Sequence, residues 1–288
     1  MKTQSKNWLA LASLVAGLGL SGSAHAVWTF DNANVGGIGN YANCSLSSTA
    51  NCDTTAESGA KINATTVSLS GFYAANTSGV VTGKWTANAL TTFAGNGQGM
   101  YTGGETGEPY HALDNNVNTE AVLLSFSDAT ALTSIGLGYT SNGTTQNVQV
   151  DMSVFRWTGG AAPTLAGTAG ALGGSWELVG NYGDMVTDTS NPYNLVNSTG
   201  KTSSWWLISA YNSGFTQSAG RETRGTLTNS NDYFKLFAVA GTVCSSNLSG
   251  GQCNTTTTKV PEPATLALTS VALLGVVGLR RRKSASAA

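Results

Sequence analysis

The chain has 288 residues, only 10% of them charged, and a formal net charge of −1. Basic residues concentrate at the two ends, and residues 27–260 keep eight Lys and Arg against 14 Asp and Glu, a net charge of −6. A negative charge disfavours nucleic acid and anionic membrane partners. This central segment is long enough to bury the core of one sizeable domain.

Residues 1–26 have the three parts of a secretory signal peptide. Two lysines precede an apolar run over residues 8–20, and the small residues Ala24 and Ala26 flank His25. Cleavage after Ala26 is expected to leave Val27 as the first residue of the exported protein.

Four cysteines form two local pairs, Cys44 with Cys52 and Cys244 with Cys253. Four cysteines permit three connectivities, and the local spacing favours these two disulfides. Each would close a short polar loop and stabilise the fold by about 2.5 kcal/mol, and an oxidising compartment outside the cytoplasm permits them. A zinc site is the alternative, although the spacing is not that of a C-x₂-C motif.

Seven segments have the alternating or continuous apolar patterns of β-strands. They are residues 62–69, 84–90, 121–126, 131–139, 147–154, 204–210 and 233–239. Segment 147–154 alternates strictly, which predicts one face in the core and one face in water. Gly136 and Gly138 leave room for close packing or for a bulge, and turns such as Ser141-Asn142-Gly143 separate the segments.

The fold class predicted from these segments is all-β. No part of the chain between its two ends has the periodicity of an amphipathic helix, and repeated short strands favour an antiparallel β-sandwich or jelly roll over residues 27–243. An irregular β-barrel is the alternative, and a β-helix would need a fixed period that the sequence lacks. Residues 244–260 follow as a disulfide loop and a Thr-rich stalk.

The last 28 residues have an order typical of a sorting signal. Val260 precedes Pro261-Glu262-Pro263, and the two prolines keep this motif extended and accessible. An uncharged run from Ala264 to Leu279 predicts a transmembrane helix of roughly 24 Å, slightly shorter than a hydrocarbon core of about 30 Å. A basic cluster ends the run: Arg280, Arg281, Arg282 and Lys283. Four cations after an apolar run act as a stop-transfer signal, and their long stems can snorkel to the interface.

The segment 261–288, together with Val260, resembles the sorting segment of PEP-CTERM proteins, which are substrates of the membrane protease exosortase. The resemblance lies in the Pro-Glu-Pro motif, the apolar run and the basic cluster. The resemblance implies that the Pro-Glu-Pro motif is the recognition and processing site. It also implies that the helix anchors the chain temporarily in the inner membrane. The mature protein would then reach the cell surface or an extracellular polysaccharide matrix, with exosortase as one partner and exopolysaccharide as a second.

The interior resembles one subfamily of exosortase-dependent surface proteins. The shared features are the run His111-Ala112-Leu113-Asp114-Asn115, the strand 121–126, Leu132-Thr133-Ser134, and the segment from Val154 to Gly159 that ends in Trp-Thr-Gly. That subfamily is defined by sorting and by domain sequence, so the resemblance implies no activity.

No catalytic site and no cofactor are predicted. The single histidine of residues 27–260, His111, excludes a multi-histidine metal centre, and no nucleophile-elbow motif supports a Ser-His-Asp triad. Asp114, Asn115 and Glu120 carry oxygen atoms of the kind that Ca²⁺ prefers. The alternative is that Asp114 and Asn115 hydrogen-bond the backbone of a turn, while His111 satisfies a nearby carbonyl.

Aromatic side chains suggest a second kind of site, because indole rings stack on sugars. The candidates are Trp85, Trp157, Trp176, Trp205 and Trp206. Adjacent residues on a strand point to opposite faces, so one of the last two is expected in the core. Three functions are therefore open: a non-enzymatic surface or matrix component as the leading hypothesis, a carbohydrate-binding module, and a polysaccharide hydrolase that uses paired carboxylates.

Overall fold

The computed structural model of the protein describes residues 26–30, 43–44, 65, 67–77, 79–93, 95–102, 111–187, 193–216, 220–228, 230–244, 248–249 and 252–253. Residues 1–25 of the predicted signal peptide and the whole sorting segment lie outside these ranges. The described residues form β-strands and no helix, which confirms the all-β prediction. None of them therefore belongs to a helix that has the length and apolar character needed to span a bilayer.

Seventeen strands lie in the described residues. They are β1 Ala26–Thr29, β2 Asn43–Cys44, β3 Val67–Thr77, β4 Val80–Val81, β5 Thr86–Asn88, β6 Leu90–Phe93, β7 Gly97–Met100, β8 Leu113–Asp114, β9 Asn118–Ser141, β10 Val150–Trp157, β11 Trp176–Met185, β12 Tyr193–Leu195, β13 Ser203–Ala210, β14 Glu222–Arg224, β15 Tyr233–Val243, β16 Leu248–Ser249 and β17 Gln252–Cys253. Fifteen strands form one sheet, while β16 and β17 form a separate antiparallel pair.

Strand β9 organises the large sheet. Its first part, as far as Phe126, lies between β3 and β13, and its second part, from Thr130, pairs with β15 and β12. The longest path of paired strands runs β14-β11-β10-β13-β9-β15-β7-β6-β2. The two strands predicted at residues 121–126 and 131–139 are therefore one strand.

One pair of strands corrects the prediction of an antiparallel sheet. Strand β14 runs parallel to β11, with Gly180 opposite Glu222, so the sheet is mixed. A parallel pair needs a crossover connection, and the chain between these strands supplies one because it passes through β12 and β13. The sandwich or jelly-roll layering stays a prediction.

Two apolar clusters cover the opposite faces of the sheet around β9. The larger cluster contains Val122 and Leu124 of β9 together with side chains of β1, β3, β10, β11, β13 and β15. The second contains Leu123 of β9, Leu207 of β13 and Phe155 of β10. Three residues between strands complete the second cluster: Leu165, Leu172 and Phe215. The central strands are thus buried on both sides.

This double cover makes one prediction wrong. Strand β10 begins at Val150, and the polar residues Asp151 and Ser153, predicted to face water, are 4% and 0% exposed. Ser153 Oγ instead donates to Asn181 Oδ1 at 2.7 Å. Hydrogen bonding removes most of the cost of burying a hydroxyl, so alternation alone does not identify the wet face.

Other local predictions agree with the structure to different degrees. Segments 204–210 and 233–239 lie in β13 and β15, whereas segment 84–90 contains β5 and the start of β6. Segment 62–69 falls partly outside the described residues, and β3 begins at Val67. The predicted turn is present, since Gly143 has φ of 92° and its N–H donates to Ser141 Oγ at 3.0 Å.

Candidate functional site

The candidate Ca²⁺ ligands Asp114, Asn115 and Glu120 lie at the junction of β8 and β9. Asp114 and Glu120 are buried, and Glu120 Oε2 accepts the N–H of Asp114 at 3.2 Å. Asp114 Oδ1 accepts the N–H of Asn116 at 2.9 Å, which closes an Asx turn. Asp114 thus bonds the backbone of the turn, as the alternative interpretation expected, and Glu120 bonds the backbone of Asp114.

Asn115 has a different set of partners. Its Nδ2 donates to Tyr211 O at 2.8 Å and to Asp232 Oδ2 at 3.0 Å, and its Oδ1 accepts the N–H of Asp232 at 2.8 Å. The side-chain oxygen of Asn115 therefore accepts a backbone N–H and is not presented to a cation. Among the described residues no group of three or more His, Cys, Asp or Glu side chains is arranged to hold a metal ion.

The contacts of Asn115 lead to a pair of buried aspartates that sequence reasoning missed. Asp232 Oδ1 accepts the N–H of Asp151 at 2.9 Å. Asp151 Oδ2 accepts the N–H of Thr228 at 2.6 Å, and Asp151 Oδ1 accepts the N–H of Asp184 at 3.3 Å. We refer to Asn115, Asp151 and Asp232 as the aspartate cluster.

Burial dominates the electrostatics of the aspartate cluster. Burial raises the pKa of Asp232 from 3.8 to about 7, although the N–H of Asp151 stabilises the charged form. Burial also raises the pKa of Asp151, against hydrogen bonds led by the Thr228 N–H. The pKa of Tyr211 is raised by burial and by the negative charges of both aspartates.

This arrangement can take up a proton near neutral pH while it holds three segments of chain together. Backbone N–H groups occupy oxygen atoms of both carboxylates, and Tyr211 N–H donates to the backbone oxygen of Asp151 at 3.0 Å. The cluster therefore fastens Thr228 and Asp232 to β10 and to the turn at Asn115. Its chemistry is that of a structural polar network.

The structure divides the five candidate tryptophans into two groups. Trp85, Trp176 and Trp206 are 1%, 4% and 0% exposed, so these three candidates are core residues and cannot stack on a sugar. Their rings fill the two apolar clusters. Trp157 and Trp205 are partly exposed and pack against the second cluster.

His111 and Cys244 belong neither to the aspartate cluster nor to the candidate tryptophans. The ring of His111 lies 5.7 Å from that of Phe93 and 5.1 Å from that of Tyr101, measured between centroids. Cys244 follows β15 and is 8% exposed. The disulfides predicted between Cys244 and Cys253 and between Cys44 and Cys52 stay predictions, because the side chains of Cys44, Cys52 and Cys253 lie outside the described part of the chain.

The sorting segment is where comparison with known proteins gives a result. The family model for the PEP-CTERM protein-sorting motif matches residues 259–283, which span the Pro-Glu-Pro motif, the apolar run and the basic cluster. No curated protein and no solved structure matches the chain. The matched residues contain all three parts of the signal in their expected order, and they identify the chain as a PEP-CTERM protein, an exported protein that is sorted by exosortase.

Proposed function

We propose that the protein is a non-catalytic structural component of the cell surface or of the extracellular polysaccharide matrix. The observation that carries this proposal is the sorting motif at residues 259–283. The signal peptide at residues 1–26 would start export, the helix 264–279 would hold the chain in the inner membrane, and exosortase would cleave near Pro261-Glu262-Pro263.

The contacts of the domain support a structural role. The acidic groups Asp151 and Asp232 use their oxygen atoms to accept hydrogen bonds from backbone N–H groups of neighbouring segments and from the side-chain amide of Asn115. Active-site carboxylates instead need an oxygen that is directed at a substrate or at a reacting water. These polar groups therefore act in stabilising the fold.

A second function, carbohydrate binding, is favoured by one observation. Trp157 and Trp205 are partly exposed at the edge of the second apolar cluster, whose core side chains are buried. Partly exposed indole rings are the side chains that stack most readily on sugars.

The test of the leading proposal is mass spectrometry of the protein in cell fractions and culture medium. The mature chain is expected to lack residues 264–288, because cleavage near the motif removes the helix and the basic tail. A Glu262→Ala variant is expected to keep the full tail mass and to stay in the membrane fraction. Thr257→Ala, which lies outside the matched residues, is the matched control and should be processed normally. Intact tails in the released protein would refute the proposal.

A further inference from the structure

The two partly exposed tryptophans belong to one row of side chains that crosses five strands. The row is Ser68 of β3, Ser125 of β9, Trp205 of β13, Trp157 of β10 and Trp176 of β11. Pairing places Ser68 opposite Ser125, Ser125 opposite Trp205, and Trp157 opposite Trp176. Since Arg156 lies opposite Trp206, the antiparallel register places Trp157 beside Trp205. Directly opposed residues share a face, so these five positions form one line across the sheet.

Exposure rises along this row. Trp176 is buried, Trp157, Trp205 and Ser125 are partly exposed, and Ser68 is exposed. Leu165, Leu172 and Phe215 pack over other parts of the same face, in the second apolar cluster. With strands about 4.8 Å apart, the row is about 20 Å long. The sheet therefore presents an aromatic and hydroxyl surface at one end of a face that is otherwise covered.

Trp205 has the chemistry of a contact residue. The indole N–H groups of Trp85, Trp157 and Trp206 donate to backbone oxygens. Within the described residues, Trp205 Nε1 donates no hydrogen bond. Its ring offers an apolar surface and a donor, and the neighbouring serine hydroxyls both donate and accept. A pyranose ring matches this combination, because it has an apolar C–H face and a rim of hydroxyl groups.

We propose that this row is a binding platform for a neutral polysaccharide, with Trp205 as the residue on which a sugar ring stacks. The row contains no charged side chain, and residues 27–260 carry a net charge of −6, which repels polyanionic glycans. The proposal rests on the second function proposed above, carbohydrate binding, and adds the site and the class of glycan.

The test is native affinity electrophoresis of the full chain, purified in a detergent that has no sugar headgroup. The gels contain hydroxyethylcellulose, glycogen or galactomannan as neutral glycans, and alginate as the anionic one. At least one neutral glycan is expected to retard the protein, and Trp205→Ala is expected to weaken this binding by about tenfold or more, the loss of one stacked ring. Tyr101→Ala removes an aromatic ring that is 46% exposed outside the row, and binding should be unchanged.

A second variant covers the case in which Trp205→Ala disturbs folding. Ser68 is exposed, so Ser68→Arg preserves the core and places a long side chain over the end of the row. We expect this variant to unfold like the wild type and to bind the glycan several-fold more weakly.

The outcomes separate the two proposals. No retardation of the wild type by any neutral glycan would refute carbohydrate binding itself. Retardation that survives both Trp205→Ala and Ser68→Arg would keep glycan binding and reject this platform. Retardation by alginate as strong as that by neutral glycans would reject the neutral class.

Discussion

Asp232 lies where three segments of the chain meet. Its N–H and one carboxylate oxygen bond the side chain of Asn115, and its other oxygen bonds the N–H of Asp151 at the start of β10. These donors favour a charged carboxylate, but only 2% of the residue is exposed. Burial outweighs the hydrogen bonds and raises the pKa of Asp232 to about 7.

The stability of the domain is therefore expected to fall as pH rises. Because the pKa of Asp232 is about 7 in the folded state and 3.8 ordinarily, the native protein binds this proton more tightly than the unfolded chain does. Its contribution is fully present below pH 3.8 and is lost as pH rises through about 7, by up to about 1.4 kcal/mol per pH unit. Denaturant unfolding of the full chain near pH 5.5 and pH 8, followed by tryptophan fluorescence, measures this slope.

Burial also raises the pKa of Asp151, which contributes in the same direction, so a variant of Asp232 is needed to isolate the share of this one group. The pKa values of Glu177 and Glu222 are lowered from 4.5 by their hydrogen-bond partners. The stability that these two groups contribute is therefore lost only as pH falls below about 4.5. An Asp232→Asn variant lacks the titrating group and should show a much flatter dependence between the two pH values. A slope equal to that of the wild type would assign the effect to other residues.

Replacing Asn115 by alanine should destabilise the domain strongly. The substitution leaves the carbonyl of Tyr211 and the N–H of Asp232 without their partner in a part-buried place. We expect the free energy of unfolding to fall by about 3 kcal/mol, since each buried polar group left unsatisfied costs about 1–3 kcal/mol. Asn116→Ala, at the exposed neighbouring position, is the control and should cost less than about 1 kcal/mol in the same denaturation experiment. Equal effects would reject this role.

The role of Asn115 shows why the aspartate cluster could not be predicted from the sequence. The local run Asp114-Asn115 indicated a turn or a metal site, and the turn is present. The second half of the interaction, however, comes from Asp232, 117 positions away. No local pattern connects residues so far apart, because only the pairing of β8 with β15 brings them together.

At the scale of elements, β9 differs most from its prediction. Residues 127–130, three of which are polar, indicate a break between two strands, but β9 continues through them. Side chains stabilise this part, since Thr65 Oγ1 donates to Asp128 Oδ2 at 2.7 Å and Thr130 Oγ1 donates to Asp128 O at 3.1 Å. The donor of the first bond is 63 positions away, so tertiary contacts override the local turn signal.

Gly138 of β9 gives a test of how closely the strand is packed. A Cβ atom at this position would lie 2.4 Å from Asn96 O, which forces the backbone apart, whereas a Cβ on Gly160 would meet nothing within 4 Å. Gly138→Ala is expected to cost about 1–3 kcal/mol through overpacking. Gly160→Ala should change stability by less than about 0.5 kcal/mol. Thermal unfolding of both variants compares the costs, and equal midpoints would contradict the close approach.

At the scale of the whole molecule, the predictable features are those encoded in consecutive residues. The sorting signal is contiguous, so its three parts are recognisable without a fold, and the family model matches the same residues. The all-β class follows from alternation within single strands. Whether β10 has a face in contact with water depends instead on Leu165 and Phe215, which come from other segments and pack on the face that carries Phe155. The same cover determines which tryptophans remain exposed.

One further consequence follows from the continuity of β9. Its first part pairs with β3 and β13, and its second part pairs with β15 and β12. Both sets of strands therefore pair with one continuous strand. If either set detached, β9 would lose the backbone hydrogen bonds to that set, and its pairing with the other set would weaken as well. We therefore expect the two sets of strands to unfold together on heating or under force, with few partly unfolded forms open to proteases.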